Sequence, residues 1–453
     1  MTFKLPAGFL LTLVWIAISA LQYGFHIASL NSIATSIICT TGSDGAPSRK
    51  GMFGLASCVE MSETAYGTVT SAYTVGGLLS SLSAGMLVDR WGKKGLAVRS
   101  AVVLSLGACA VSLGSYLWVL VLGRVLIGTS CGIATVLVPL YLSSVAPPAI
   151  AGNIGILTQI SINVGIFAAQ GLSIPLSTPG TGQWRVVSLV SAAVALAQIF
   201  SAPLMPESGS KENGGRIYDV SDAEDEERTP LAIEEDPDAP RRKIDDDVPS
   251  LSVYKVLRSK DIAVSKPLWT LVLVMIFQQL SGINAVMYYS TSILTAVNPS
   301  SAKSVSLFVT LVNLIATFPA VYLIDRLGRR TLLLTSLLAM SVSTAVLGWS
   351  INTSRFYVAS AFIVLFVVGF SIGLGPVPFV LVGEMPVEEA KSATASIAVA
   401  INWTCNLLVG VTFLPLRDYL ASRSSGTGGS GTVFYVFTAF TAVGAIVVGR
   451  MLR

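Results

Sequence analysis

Two stretches decide the fold: Gly85-Met-Leu-Val-Asp-Arg-Trp-Gly-Lys-Lys94 and Val321-Tyr-Leu-Ile-Asp-Arg-Leu-Gly-Arg-Arg330. Each follows an apolar run and carries the same pattern, so Asp89, Arg90, Gly92, Lys93 and Lys94 recur as Asp325, Arg326, Gly328, Arg329 and Arg330. The glycine permits a tight turn between two helices, and the basic pair anchors that turn at a membrane surface. The aspartates can pair with those bases or face a helix N-terminus, where the dipole favours an anion. One such string is weak evidence, but two at equivalent places imply an internal duplication.

Outward from these turns the chain is overwhelmingly apolar. Of 453 residues, 53% are hydrophobic and 12% charged, with a mean hydropathy of +0.72. A soluble protein of this length could not hide so much apolar surface. Spans of roughly 20 apolar residues, the length that crosses a bilayer core, are predicted at 9–38, 64–88, 96–116, 118–146, 152–175 and 184–205. Six more follow at 267–297, 304–324, 331–351, 356–383, 392–418 and 431–451. The expectation is an all-α membrane protein with twelve transmembrane helices in two six-helix halves, 1–206 and 266–453. The first span is read as a retained helix, since no small-residue cleavage site follows it.

Between the halves, 207–265 holds more than half of the chain's 25 acidic residues, including Glu224 to Glu227, Glu234 to Asp236 and Asp245 to Asp247. Such a segment reads as a solvated acidic linker. Its end, with Val253, Val256 and Leu257 at helical spacing, predicts a short amphipathic helix. Lys and Arg concentrate in the loops after the second and eighth spans, which places both termini and the linker in the cytosol.

Duplicated six-helix halves with a substrate site between them are an architecture of secondary transporters. The chain resembles the sugar porter family of the major facilitator superfamily, and within it the glucose-transporter type. The resemblance rests on Gln278-Gln279-Leu-Ser-Gly-Ile-Asn284 with the residues up to Leu294, on Gly123 to Gly128 and Pro139 to Tyr141, on Trp184-Arg185, on Pro206 to Ser208, on Gly373 to Glu384 and on Asn402 to Asn406. It implies transport of a hexose or related sugar by alternating access. Carried over residue by residue, it implies that Gln159, Gln278, Gln279, Asn284, Asn313 and Asn402 line the sugar site, with Ser371 and Phe379 where the family has Glu and Trp. It further implies a charged gate of Asp89, Arg90, Lys93, Lys94, Asp325, Arg329, Arg330, Glu384 and Lys391. The family's partner charges on helices 4 and 5 are replaced by Ser144 and Ala151, which predicts a looser latch in the first half.

The residue chemistry agrees with a polyol site. An uncharged carboxamide both donates and accepts, as a sugar hydroxyl does, and several amides inside apolar helices suggest a polar cavity. The other reading is that they only join helices. Tyr288, Tyr289, Phe379 and Trp403 offer faces for a pyranose ring. Gly373, Gly375, Pro376 and Pro378 break helix 10, as a gate hinge or as a static kink.

His26, the chain's single histidine, stands where proton-coupled relatives have Asp and facilitative ones Asn. With Arg124 it is the candidate coupling pair, either as a proton carrier or as a neutral hydrogen-bonding group. Cys39 and Cys58 bracket the first loop opposite the cytosol, as a disulfide or as two free thiols. Asn352-Thr-Ser is a glycosylation sequon. The absence of a Walker A string, of clustered carboxylates and of a second histidine predicts no enzyme, no metal and no cofactor. A formal net charge of +4 predicts no nucleic-acid partner. The expected partners are a sugar, the bilayer and, for a symporter, protons, with the chain a monomer in the plasma membrane or an endomembrane such as the vacuole. The alternatives are a proton-coupled symporter and a non-transporting sugar sensor or trafficking factor on the same fold.

Overall fold

The computed structural model describes residues 7–39, 51–145, 151–205, 251–287, 302–423 and 429–452. Among the described residues eleven helices are long and apolar enough to cross a membrane. One of them, Ala302–Asn352, is interrupted at Gly328, whose φ of 79° and ψ of 156° are not helical, so it supplies two spans and the total is twelve. Among the described residues no strand forms, and only an isolated bridge joins Ile38 to Val59.

The spans are α1 (Ala7–Ala28), α2 (Glu63–Trp91), α3 (Lys93–Leu113), α4 (Leu117–Val145), α5 (Ala151–Ser173) and α6 (Trp184–Ser201). Then come α7 (Ile262–Leu280, continuing to Met287), α8 (302–327), α9 (329–352), α10 (Phe356–Glu384), α11 (Lys391–Arg423) and α12 (Val433–Met451). Gly92 joins α2 to α3 at φ 68° and ψ 163°, nearly the dihedrals of Gly328 between α8 and α9. The repeated string therefore folds twice into one backbone turn, in a region open essentially to glycine alone.

Small residues let the helices approach to backbone contact, as lipid-embedded bundles require. A Cβ added at Gly24 of α1 would lie 1.9 Å from the Ile162 carbonyl oxygen of α5, and one at Gly165 would lie 2.0 Å from that of Leu21. Between the first and last six spans, α2 packs on α11, and α5 packs on α8 and α10. Leu79, Leu106, Phe200, Ile315 and Phe318 are among the large apolar side chains left exposed on the outside, where lipid is the solvent.

At the end of the bundle away from the glycine turns, Cys39 and Cys58 are bonded through sulfur. The loop they hold is pinned from α6. Trp184 Nε1 donates to the Ser57 carbonyl at 2.9 Å. Arg185 donates to the Ala56, Ser112 and Gly114 carbonyls at 2.9, 2.7 and 2.5 Å. The Asn352 side chain is engaged too, accepting from the Gly431 amide at 2.7 Å.

The short helix Val253–Arg258 is capped by Ser252. It inserts Val256 among Val264, Leu268, Val272, Ala390, Ala393 and Ile397. Leu257, expected on the same apolar face, is instead exposed, because one turn and a half of helix covers only the Val253–Val256 edge. The linker residues 207–250 lie outside the described residues.

Candidate functional site

The site begins with a backbone problem in α10. Its helix runs regularly to Gly369, passes through a π-helical turn at Phe370–Leu374 and restarts at Pro376. Proline has no N–H, so Pro378 cannot serve the Leu374 carbonyl four residues earlier. Gln278 of α7 supplies the missing donor, with Nε2 2.9 Å from the Leu374 oxygen and 3.2 Å from that of Gly375. From α9, Ser336 Oγ donates to the Gly369 carbonyl at 2.6 Å and accepts from the Leu374 amide at 2.9 Å. The break in α10 is thus held open by side chains of two neighbours. Gly373 allows this closeness, since a Cβ there would lie 2.1 Å from the Leu332 carbonyl oxygen.

Two chains of amides grow from this point. In the first, Asn402 Nδ2 of α11 donates to Gln278 Oε1 at 2.7 Å, and Gln279 Nε2 donates to Asn402 Oδ1 at 2.9 Å. Asn284 Nδ2 then donates to Gln279 Oε1. In the second, Gln159 Nε2 donates to Asn163 Oδ1 at 3.0 Å within α5. Asn163 and Asn313 of α8 exchange amide bonds at 3.3 and 3.2 Å. Ser371 Oγ donates to Asn313 Oδ1 at 2.7 Å. Each amide is buried, and linked networks of this kind fix one geometry.

The two chains meet around a small cavity lined by Gln159, Asn163, Gln278, Gln279, Asn284 and Asn313, with Tyr23, Ile27, Ile162, Ile166, Ile283, Met287, Phe370 and Phe379 as the apolar part. The centres of water-sized molecules have about 40 Å³ there, room for about three waters. The space is therefore too small for a sugar in this conformation. A larger space of about 330 Å³ opens on the side of the glycine turns, between Pro139, Ser143, Gly155, Val380, Gly383 and Glu384. Phe379 lines both spaces.

Several expected residues take other places. Asn402 and Ser371 do not line the cavity; they stand behind it and orient Gln278, Gln279 and Asn313. Trp403 is also set back, packed on Tyr23 and Tyr73 with ring centroids 5.4 and 5.2 Å away, because Gly77 leaves it a slot in α2. Tyr288 and Tyr289 lie outside the described residues. Asn163 was not anticipated; its only signal was its place one helical turn after Gln159.

His26 turns away from the cavity. Its Nε2 is 2.7 Å from Ser191 Oγ of α6, and Ser191 donates to Gln22 Oε1 at 2.9 Å. Arg124 reaches the His26 carbonyl, not the ring, with both terminal nitrogens at 3.4 Å, and stacks over Tyr73 at 4.6 Å. Among the described residues no Asp or Glu is buried.

The charged turns differ from each other. Arg329 forms a two-pronged pair with Glu384, at 2.8 and 3.2 Å, and also meets Asp325 at 3.4 Å. Arg330 donates to the Gly449 carbonyl at 2.9 Å. Around the first turn, Asp89 lies 3.5 Å from Ser392 Oγ of α11, and Lys94 donates to the Met205 carbonyl at 2.6 Å. Arg90 is exposed and Lys93 half-buried. Lys391, expected beside Arg329 and Glu384, pairs instead with Glu388 at 2.8 Å, its neighbour one turn earlier. Ser144 spends its hydroxyl on the Tyr141 carbonyl at 2.8 Å.

The chain is similar to known proteins. Facilitated glucose transporter protein 1 of Caenorhabditis elegans is 31% identical, over 94% of this chain and 84% of its own. Vacuolar protein sorting-associated protein 73 of Saccharomyces cerevisiae is 26% identical, over 96% of this chain and 91% of its own. Among solved structures, the partially occluded inward open xylose transporter XylE from E. coli superposes with a TM-score of 0.70 at 18% identity, covering 98% of this chain and 99% of that one. The proton:xylose symporter XylE bound to 6-bromo-6-deoxy-D-glucose superposes with a TM-score of 0.75 at 18% identity, covering 98% and 95%. These structural likenesses establish the fold. With residues 12–452 matched by the model of the sugar (and other) transporter family, the chain belongs to that family.

Proposed function

We propose that this membrane sugar transporter carries a hexose or closely related sugar by alternating access, down its gradient and without an accompanying proton. One observation carries the reading: the cavity between the first and last six spans is lined by neutral amides and hydrophobic side chains, with no charge. A carboxamide matches a hydroxyl as donor and acceptor, and an uncharged site binds weakly enough to release a polyol on the far side. The name of the C. elegans relative, a facilitated glucose transporter, supports the same reading.

In this account 1–206 and 266–453 move as two bundles about the cavity, tethered by 207–265, and the chain acts as a monomer. The Lys and Arg of the glycine turns support a cytosolic position for that side and for both termini. Similarity to the yeast vacuolar protein sorting-associated protein supports an endomembrane location; the plasma membrane is the other candidate.

The test is uptake of radiolabelled hexoses, pentoses and inositol into vesicles reconstituted with the full chain, with and without an imposed proton gradient. Equilibration at the same level in both conditions is the expected result. Accumulation driven by the proton gradient would establish symport instead, and saturable binding without flux would establish a sensor.

A further inference from the structure

Asn163 and Gln170 lie seven residues apart on α5, a spacing that returns to one helix face every two turns, and Ser177 follows seven residues later, beyond the helix end. All three are buried and bonded to α8. Asn163 Nδ2 donates to Thr317 Oγ1 at 2.6 Å and exchanges amide bonds with Asn313. Gln170 Nε2 donates to Ser306 Oγ at 3.2 Å and to Ser32 Oγ, in the turn after α1, at 2.7 Å. Ser177 Oγ accepts from Lys303 Nζ at 2.8 Å. On α8 the partners Asn313 and Ser306 are again seven apart, in antiparallel order. The contact between the first and last six spans on this face is therefore a ladder of three polar rungs, running from the cavity wall to the disulfide end.

The rungs are unequal. The inner one is saturated, since Asn163 Oδ1 also accepts from Gln159. At the middle rung the buried Gln170 Oε1 accepts no hydrogen bond, an arrangement that costs free energy in the closed state. The outer rung depends on the exposed Lys303.

We propose that this ladder is the gate on the disulfide side of the cavity, parting from Ser177 inwards and resealing in the same register. The proposal rests on the transport reading above, because a gate requires a passage. It explains why a bilayer-buried interface carries heptad-spaced polar side chains: apolar residues there would bind no more tightly than lipid does, whereas hydrogen bonds re-form in only one register.

The experiment measures spin-label distances between Thr178→Cys and Ser304→Cys, at the mouth of the ladder, in reconstituted full-length protein without sugar; the half-buried free thiol is removed by Cys109→Ser, and the other two, Cys131 and Cys405, are buried. Gln170→Leu and, more gently, Ser306→Ala are each expected to raise the long-distance population about two- to tenfold, the effect of losing the one hydrogen bond that joins α5 to α8 at this rung. Thr404→Val on α11, whose hydroxyl bonds only its own helix, should leave the distribution at the parent value. Unchanged distances in both ladder variants, or an equal shift in Thr404→Val, would overturn the proposal. Because no sugar is present, absence of flux in the uptake assay would defeat the transport reading while leaving this result intact.

Discussion

The Gln278 side chain replaces the N–H that Pro378 lacks, so the two residues are one device written in two places. Gln278→Leu leaves the buried Leu374 carbonyl without a donor and is expected to cost about 1–3 kcal/mol, read as a lower thermal midpoint in detergent. Pro378→Ala restores an N–H at the position that serves Leu374, so the double variant should recover much of that midpoint. If it recovers none, the account of the break is wrong. Asn402 illustrates the limit of reading such residues from sequence. Its amide character marked it as part of the polar network, but whether an amide faces the cavity or the amide in front of it depends on helix rotation by a fraction of a turn. Asn163 went unread for the same reason: a single polar residue one turn from another has no signature until the opposing helix is in place.

At the scale of elements, the glycine turns and the break in α10 were legible, because glycine and proline restrict the backbone directly and need no partner to do so. The π-helical turn was not, since it depends on Ser336 and Gln278 arriving from elsewhere in the chain. The ladder between α5 and α8 was likewise hidden, as its rungs join residues more than a hundred positions apart. The turns permit a quantitative test. A Cβ at Gly92 or Gly328 would meet nothing within 4 Å, so the cost of Gly92→Ala or Gly328→Ala is purely that of the backbone. Both dihedral pairs fall in the region that only glycine occupies easily, worth about 1–3 kcal/mol. The two substitutions should lower the thermal midpoint by similar amounts. A large difference between them would mean that the two turns are not mechanically equivalent.

Across the whole molecule the two halves share a turn and its signs of charge but not the carboxylate that pairs with it. The last six spans retain Arg329 paired with Glu384, whereas Ser144 bonds only within its own helix. Arg329 and Glu384 are each about 30% exposed in their side chains, where a pair contributes about 1 kcal/mol at most. Glu384→Gln is thus expected to raise the population of long turn-side label distances a few-fold and to leave the disulfide-side distribution alone. Energy coupling is also a property of the whole. A symporter needs a titratable group that both the proton path and the sugar site sense, so that one affinity depends on the other. Tyr23 and Ile27 of α1 line the cavity, but His26 between them faces Ser191 of α6, and no described carboxylate is buried. In vesicles, an imposed proton gradient should therefore change neither the initial rate nor the plateau of sugar uptake. His26→Asn, which keeps a side chain able to bond Ser191, should behave as the parent does. Uptake above equilibrium that this substitution abolishes would assign His26 the role of proton carrier and overturn the facilitative mechanism.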